Sequence, residues 1–184
     1  MTESNVTAPK GNDDPLPTSA SDLFKHLDGL RILYRLYQHP PVFTVAESEQ
    51  IEHDIPGVHC RNLFLRDKKK NMYLLVVAND TEIDLKKLQD VIGSDRLSFG
   101  SADRLWEFLG VRPGSVCPFC IMNDKKNEVK LLLDADMMEG PIVNYHPMEN
   151  HMTVGLTPAE LLRFFDSIDR EAHIVDLKPA APDA

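Results

Sequence analysis

Apolar positions along this chain fall into two rhythms. From Ser21 the spacing of Leu23, Phe24 and Leu27 puts an apolar stripe on a short helix. The stretch ILYRLY, residues 32–37, alternates instead, and predicts a strand that stops before Pro40-Pro41. Asn62 to Arg66 and Met72 to Ala78 read as the two strands of a hairpin joined by the turn DKKKN. Leu85 to Ile92 returns to helical spacing. Ser101 can cap a helix carrying Leu105, Trp106, Phe108 and Leu109, closed by Gly110. Val129 to Leu133 and Ile142 to Tyr145 are short apolar runs that predict buried strands. Thr157-Pro158-Ala159-Glu160 is a helix start with a capping box and proline at the first position. That helix carries Leu161, Leu162, Phe164 and Phe165, and a short strand at Ile174 to Leu177 follows it. Strands and helices mingle without a regular βαβ beat. The expected fold class is therefore α/β, a single-domain mixed β-sheet with helices packed on it.

The two ends carry neither rhythm. Residues 1–18 are polar and rich in Pro, Asn, Asp, Ser and Thr, and the chain finishes in KPAAPDA. The expected division is a disordered tail over 1–18, one domain over 19–178, and a second tail over 179–184. A length of 184 residues suits one domain with a proper core. No window approaches 18 consecutive apolar residues, so no membrane partner is expected. The first residues lack the basic and apolar regions of a signal peptide, and a cytoplasmic location follows as the expectation.

Charge changes the picture more than composition does. The net charge is −9, with 29 acidic against 20 basic residues, which argues against a general nucleic-acid binder and against DNA as a partner. The positive charge is clustered, however, in RDKKK at 66–70 and KK at 125–126. These are either solvated turns or a small electropositive rim for a phosphate-bearing ligand.

Candidate chemistry centres on GSVCPFCIMND, residues 114–124, which holds a C-x-x-C pair, Cys117 and Cys120. A structural zinc site needs four ligands. The only composite available adds Cys60 and His59, a spacing that matches no common zinc module. A thioredoxin-type pair needs a helix N-terminus to lower its thiol pKa, and IMND after Cys120 reads as a strand. Two small residues lining a loop is the remaining alternative. No G-x-S-x-G supports a hydrolytic triad, and no phosphate-binding glycine motif is present. His146, in NYHP, stands at the end of an expected strand as a hydrogen-bonding residue or a catalyst.

Several segments taken together resemble one family: the freestanding aminoacyl-tRNA editing domains related to the insertion domain of bacterial prolyl-tRNA synthetase. They are HPPVFTVAES at 39–48, GVHCRNLFLRDKKKNMYLLVVA at 57–78, IDLKKLQDVIGSDRLSFGSADRL at 83–105, GVRPGSVCPFCIMND at 110–124 and NYHPMENHMTVGL at 144–156. The chain is most similar to the branch of trans-editing enzymes that deacylate alanyl-tRNA(Pro). The resemblance runs from about Leu23 to Leu177.

That resemblance implies a hydrolase that removes a small wrong amino acid, alanine, from tRNA(Pro), with no metal or organic cofactor. The partners it implies are the acceptor end of tRNA(Pro) and, for docking, prolyl-tRNA synthetase. Gly114 and Pro118 match a G-x-x-x-P loop beside the aminoacyl pocket, which leaves Cys117 and Cys120 as spectators. Gly114 would contribute backbone polarisation, and the vicinal hydroxyl of the terminal adenosine would help to place the water. Arg61 stands where the family's pattern K-N-L-F-L has its hallmark lysine, and Asn62 matches. Arginine can replace a lysine that pairs with a phosphate, but one that orients the water would lose about a hundredfold in activity through misplacement. Phe64, Met122, His146 and Met148 are implied pocket walls beside Pro118. Arg66, Lys68, Lys69 and Lys70 are implied contacts to acceptor-stem phosphates. A deacylase for seryl-, threonyl- or 2-aminobutyryl-tRNA, and a non-catalytic tRNA- or synthetase-binding module, are the alternatives.

Overall fold

The structure is a computed structural model that describes residues 14–41 and 45–177. Most of the two expected tails therefore lies outside the described residues, as do residues 42–44 of the HPPVFTVAES segment. Residues 14–18 lie within them and lean on the body. Leu16 packs on the main core and Thr18 Oγ1 donates to Asn123 Oδ1 at 2.6 Å.

The first helix, α1 (Ala20–Gly29), begins one residue before the sequence expectation. Ser19 caps it in a capping box with Asp22, which satisfies N–H groups the first turn leaves open. Strand β1 (Tyr34–Gln38) follows, then α2 (Val45–Asp54), which no sequence rhythm announced. The hairpin is longer than expected: β2 (Val58–Arg66) pairs antiparallel with β3 (Met72–Ala78) from Cys60↔Ala78 to Arg66↔Met72. The helices α3 (Leu85–Ile92) and α4 (Ala102–Leu109) flank the two-residue β4 (Ser98–Phe99), and both close on a left-handed glycine, Gly93 and Gly110.

Pro118–Asn123 is a 3₁₀ helix, not the strand expected for IMND. Proline at its first position presets φ, and Cys120 and Asp124 donate backbone N–H to residues three earlier. Phe119, Cys120 and Ile121 are buried in succession, so the periodicity that separates strand from helix is missing here. The chain continues through β5 (Val129–Asp134), α5 (Ala135–Met138), β6 (Val143–Tyr145), β7 (Met152–Leu156), α6 (Pro158–Ser167) and β8 (Ala172–Val175).

The eight strands form one mixed sheet in the order β1-β7-β6-β2-β3-β5-β8, with β4 beside the end of β2. The expected α/β class is the one observed. Strand β3 is buried along its whole length because the sheet is covered on both faces. Met72, Leu74, Val76 and Ala78 meet α1, α4 and α6 on one face, while Tyr73, Leu75 and Val77 meet α3 on the other. Among the described residues no helix is long and apolar enough to cross a membrane.

Candidate functional site

The sheet parts along one edge of β2. Val58 and His59 pair in parallel with Val143 and Asn144 of β6, and Leu65 and Arg66 pair with β4. Between these two partners the edge of β2 is uncovered. Backbone groups alternate sides along a strand. Asn79 donates to the His59 carbonyl on the β3 side, and Gly100 to the Phe64 carbonyl on the other. Even-numbered residues therefore address the uncovered edge, and the peptide N–H and C=O of Asn62 point into the gap.

A cleft of about 260 Å³ occupies this gap. Cys60, Arg61 and Asn62 line it from β2, Tyr145 from β6 and His146 just after it, and Gly114 from the loop after α4. Arg61 and Asn62 lie on opposite faces of the strand, yet both reach the cleft because it opens at the sheet edge. The Arg61 guanidinium is exposed and donates from Nη2 to the Thr81 carbonyl. Asn62 Oδ1 is buried without a hydrogen-bond partner among the described residues.

Gly114 adopts φ +88°, a conformation open to glycine and rarely to other residues. A Cβ there would meet nothing within 4 Å, so the requirement is one of backbone and not of space. It is exposed and lines the cleft, where it presents backbone and no side chain.

His146 is half-buried, and its Nδ1 lies 3.0 Å from the Met152 carbonyl. Burial holds its pKa below the ordinary histidine range, and the neighbouring His39 and His59 add to that, against the raising effect of the Met152 bond. This favours the neutral ring. His39 in turn bonds the Thr153 hydroxyl through Nε2 at 3.0 Å and the Pro40 carbonyl through Nδ1 at 2.9 Å.

Sequence reasoning missed Glu52, Asn79 and Asn144, all of which line the cleft. Glu52, on α2, accepts from the Ser48 hydroxyl at 3.0 Å and from the Asn79 side-chain amide, which ties the helix to the end of β3. Asn144 is 2% exposed, and its Nδ2 donates to the carbonyls of Pro56 at 3.2 Å and Val58 at 3.4 Å. Gly57 and Gly155 clasp it: a Cβ on either would come within 2.8 Å of its amide. The signal was a polar residue inside the apolar strand VNY.

Other expected pocket residues are elsewhere. Phe64 is 5% exposed and packs in the core against Phe108. Pro118 is buried in the 3₁₀ helix, Met148 is a core residue, and Met122 lines a separate cavity with Ile168 and Arg170. None of these four lines the cleft: the even face of β2 beyond Asn62 turns Phe64 into the core, and the other three lie on the 3₁₀ helix and in the loop after β6, packed away from it. Arg66 and the lysine turn that follows lie at the far end of β2, roughly 17 Å from Arg61 at about 3.4 Å per residue.

The cysteines do not offer a nucleophile. Burial pushes the Cys60 thiol up to about 12, only partly offset by Tyr145. Cys117 and Cys120 are both buried to 0% exposure, and Cys120 Sγ donates to the Cys117 carbonyl at 2.8 Å. Cys117 caps the 3₁₀ helix, so the geometric ground for setting aside a redox pair is burial, not an intervening strand. Among the described residues no group of three His, Cys, Asp or Glu is arranged to hold a metal ion.

The structure is an α/β domain whose cleft presents side-chain amides, a guanidinium and an uncovered backbone edge. The chain belongs to the aminoacyl-tRNA editing domain family, whose profile matches residues 39–164, and it is an aminoacyl-tRNA deacylase. It is 44% identical over 136 residues to the prolyl-tRNA editing protein ProX of Acetoanaerobium sticklandii, covering 73% of this chain and 83% of that one. It is 35% identical over 161 residues to the prolyl-tRNA synthetase associated domain-containing protein 1 of Mus musculus, covering 85% and 95%. A crystal structure described as a candidate trans-editing enzyme for prolyl tRNA synthetase has the same fold, with a TM-score of 0.65 at 20% identity over 88% of this chain and 99% of that one.

Proposed function

We propose that this deacylase edits tRNA(Pro) in trans in the cytoplasm, hydrolysing the ester of a small wrong amino acid, alanine, and sparing proline. The carrying observation is the convergence of Arg61, Asn62, Gly114 and His146 on one cleft at the uncovered edge of β2. An aminoacyl ester is already activated. Its hydrolysis requires a placed water and donors aimed at the developing oxyanion, and a preorganised donor contributes about 3–4 kcal/mol to such a barrier. The N–H of Asn62 and the peptide edge at Gly114 are the donors suited to that role. Arg61, exposed at the mouth, binds the 3′-terminal phosphate or the adenosine, and neutral His146 with Asn144 shapes the wall.

The size of the cleft favours a small substrate side chain. At about 260 Å³ it lies below the roughly 300–1,000 Å³ of ordinary small-molecule sites, so it holds the aminoacyl group and part of the ribose. A synthetase pocket made for proline discriminates against smaller alanine by only about 10–200-fold. A second site that admits the smaller group removes that error.

The test is deacylation of alanyl-tRNA(Pro) by the purified protein, with prolyl-, seryl- and threonyl-tRNA as comparisons. Release of alanine with proline spared is expected, with activity retained in Arg61→Lys and lowered at least tenfold in Arg61→Ala. Tight tRNA binding without cleavage of any ester would show a non-catalytic module, and preference for another aminoacyl group would reassign the substrate.

A further inference from the structure

Parallel pairing of β3 with β5 joins Met72 to Val129 and Tyr73 to Lys130. The turns that precede these strands, residues 67–71 and 124–128, therefore emerge side by side, on strands about 5 Å apart. Lys68, Lys69 and Lys70 stand exposed on the first turn and Lys125 and Lys126 on the second. Lys130 follows on β5, with its ammonium 5.7 Å from the centre of the Tyr73 ring. The two clusters that are far apart in sequence form one basic end.

Nearby carboxylates leave this charge largely unpaired. Asp67 and Asp124 are 3% and 5% exposed. Asp67 is taken up by Asn71 and Tyr73, and Asp124 by Arg170 and the N–H groups of Glu128 and Val129. Lys69 pairs with Asp95 at 3.1 Å. Exposed Glu128 is the remaining acid on these turns. Among the described residues Lys68, Lys70, Lys125 and Lys126 form no ion pair. In a chain of net charge −9, such an end calls for an anionic partner.

Its distance from the cleft indicates which anion. From Arg61 to Arg66, at the edge of the basic end, is roughly 17 Å along β2. A nucleic-acid strand carries one phosphate per about 3.4 Å, so a strand whose end lies in the cleft reaches the lysines roughly five nucleotides back. We propose that this basic end is a backbone-binding surface for a double-stranded RNA stem, holding the stem whose 3′ end delivers the ester. The proposal rests on the deacylase reading above and adds to it how the body of the substrate is held. Lysines on turns offer point charges to phosphates and carry no base readout, so the surface contributes affinity and salt dependence, not choice of sequence.

The test uses full-length protein and two charge reversals, Lys68→Glu/Lys70→Glu and Lys125→Glu/Lys126→Glu. A third, Lys25→Glu/Arg35→Glu, changes net charge equally on α1 and β1. Binding of uncharged tRNA(Pro) is measured against KCl, and hydrolysis of the alanyl ester of the trinucleotide CCA is followed in parallel. Each basic-end variant should bind tRNA at least tenfold more weakly at low salt, with a shallower salt slope by roughly one unit per lost phosphate contact. The Lys25/Arg35 variant should change less than threefold, and hydrolysis of the trinucleotide ester should match wild type throughout. Equal losses in all three variants, or equal losses on the trinucleotide ester, would overturn the proposal. So would unchanged tRNA binding with lost binding to prolyl-tRNA synthetase, which would make the partner an acidic protein. If wild type cleaves no ester while tRNA binding still depends on the lysines, the deacylase reading fails and the surface stands.

Discussion

Asn144 shows how a single polar side chain can hold a site open. Its amide bonds two carbonyls at the start of β2 and so fixes where β2 and β6 stop pairing. Asn144→Ala takes the amide donor away from both part-buried carbonyls, at about 0.5–1.5 kcal/mol per hydrogen bond. Thermal or denaturant unfolding should show that loss, and kcat/KM should fall with it as the cleft loses its shape. His146 gives a pH prediction. Its folded pKa is depressed by burial, so the unfolded chain binds the proton more tightly. Stability from this group is complete at pH values above the unfolded value of about 6.5 and declines as pH falls below it. Unfolding of wild type and His146→Gln between pH 5 and 8 checks this, and the variant should show a flatter profile. Gly114→Ala places a side chain at positive φ with no clash, so kcat should drop more than stability, by kinetics compared with melting.

At the scale of elements, the join between the 3₁₀ helix, β5 and α6 depends on one buried ion pair. Arg170 lies 3.2 Å from Asp124 and donates to the carbonyls of Asp124 at 2.6 Å and Val129 at 3.3 Å. Arg170→Leu leaves the Asp124 carboxylate buried without its cation, which costs about 3–5 kcal/mol. Denaturant melts should show it, and replacing Asp124 as well should recover part of the loss. The elements with strong local signals, α4 with Ser101 and Gly110 or α6 with Thr157 and Pro158, were legible because cap and stripe lie within a few residues. The helix α2 was not, since its residues VAESEQIEHD carry no continuous apolar stripe. IMND misled for the opposite reason: Phe119, Cys120, Ile121 and Met122 are apolar in succession, so no period can be read.

The described residues form a sheet gripped between helices, and the cleft is built at the edge of that core. Phe164 sits where α6 meets the 3₁₀ helix, with ring centroids 5.2 Å from Phe119 and 5.5 Å from Phe165. Phe164→Ala should cost about 3–5 kcal/mol by chemical denaturation. The sequence by itself determined the class of fold, the hairpin β2–β3, the capped helices, and through its motifs the family and Arg61, Asn62, Gly114 and His146 as the residues to watch. The fold class, hairpin and capped helices follow from period and cap residues, which are local, while the family and these four residues rest on the resemblance of several segments taken together. Only the tertiary structure decided that Phe64, Pro118, Met122 and Met148 do not line the cleft, because where each is buried depends on how β2, the 3₁₀ helix and the loop after β6 pack on distant parts of the chain. It alone joined the lysines of 68–70 to those of 125–126, because strand register between β3 and β5 is a long-range fact that no local pattern encodes.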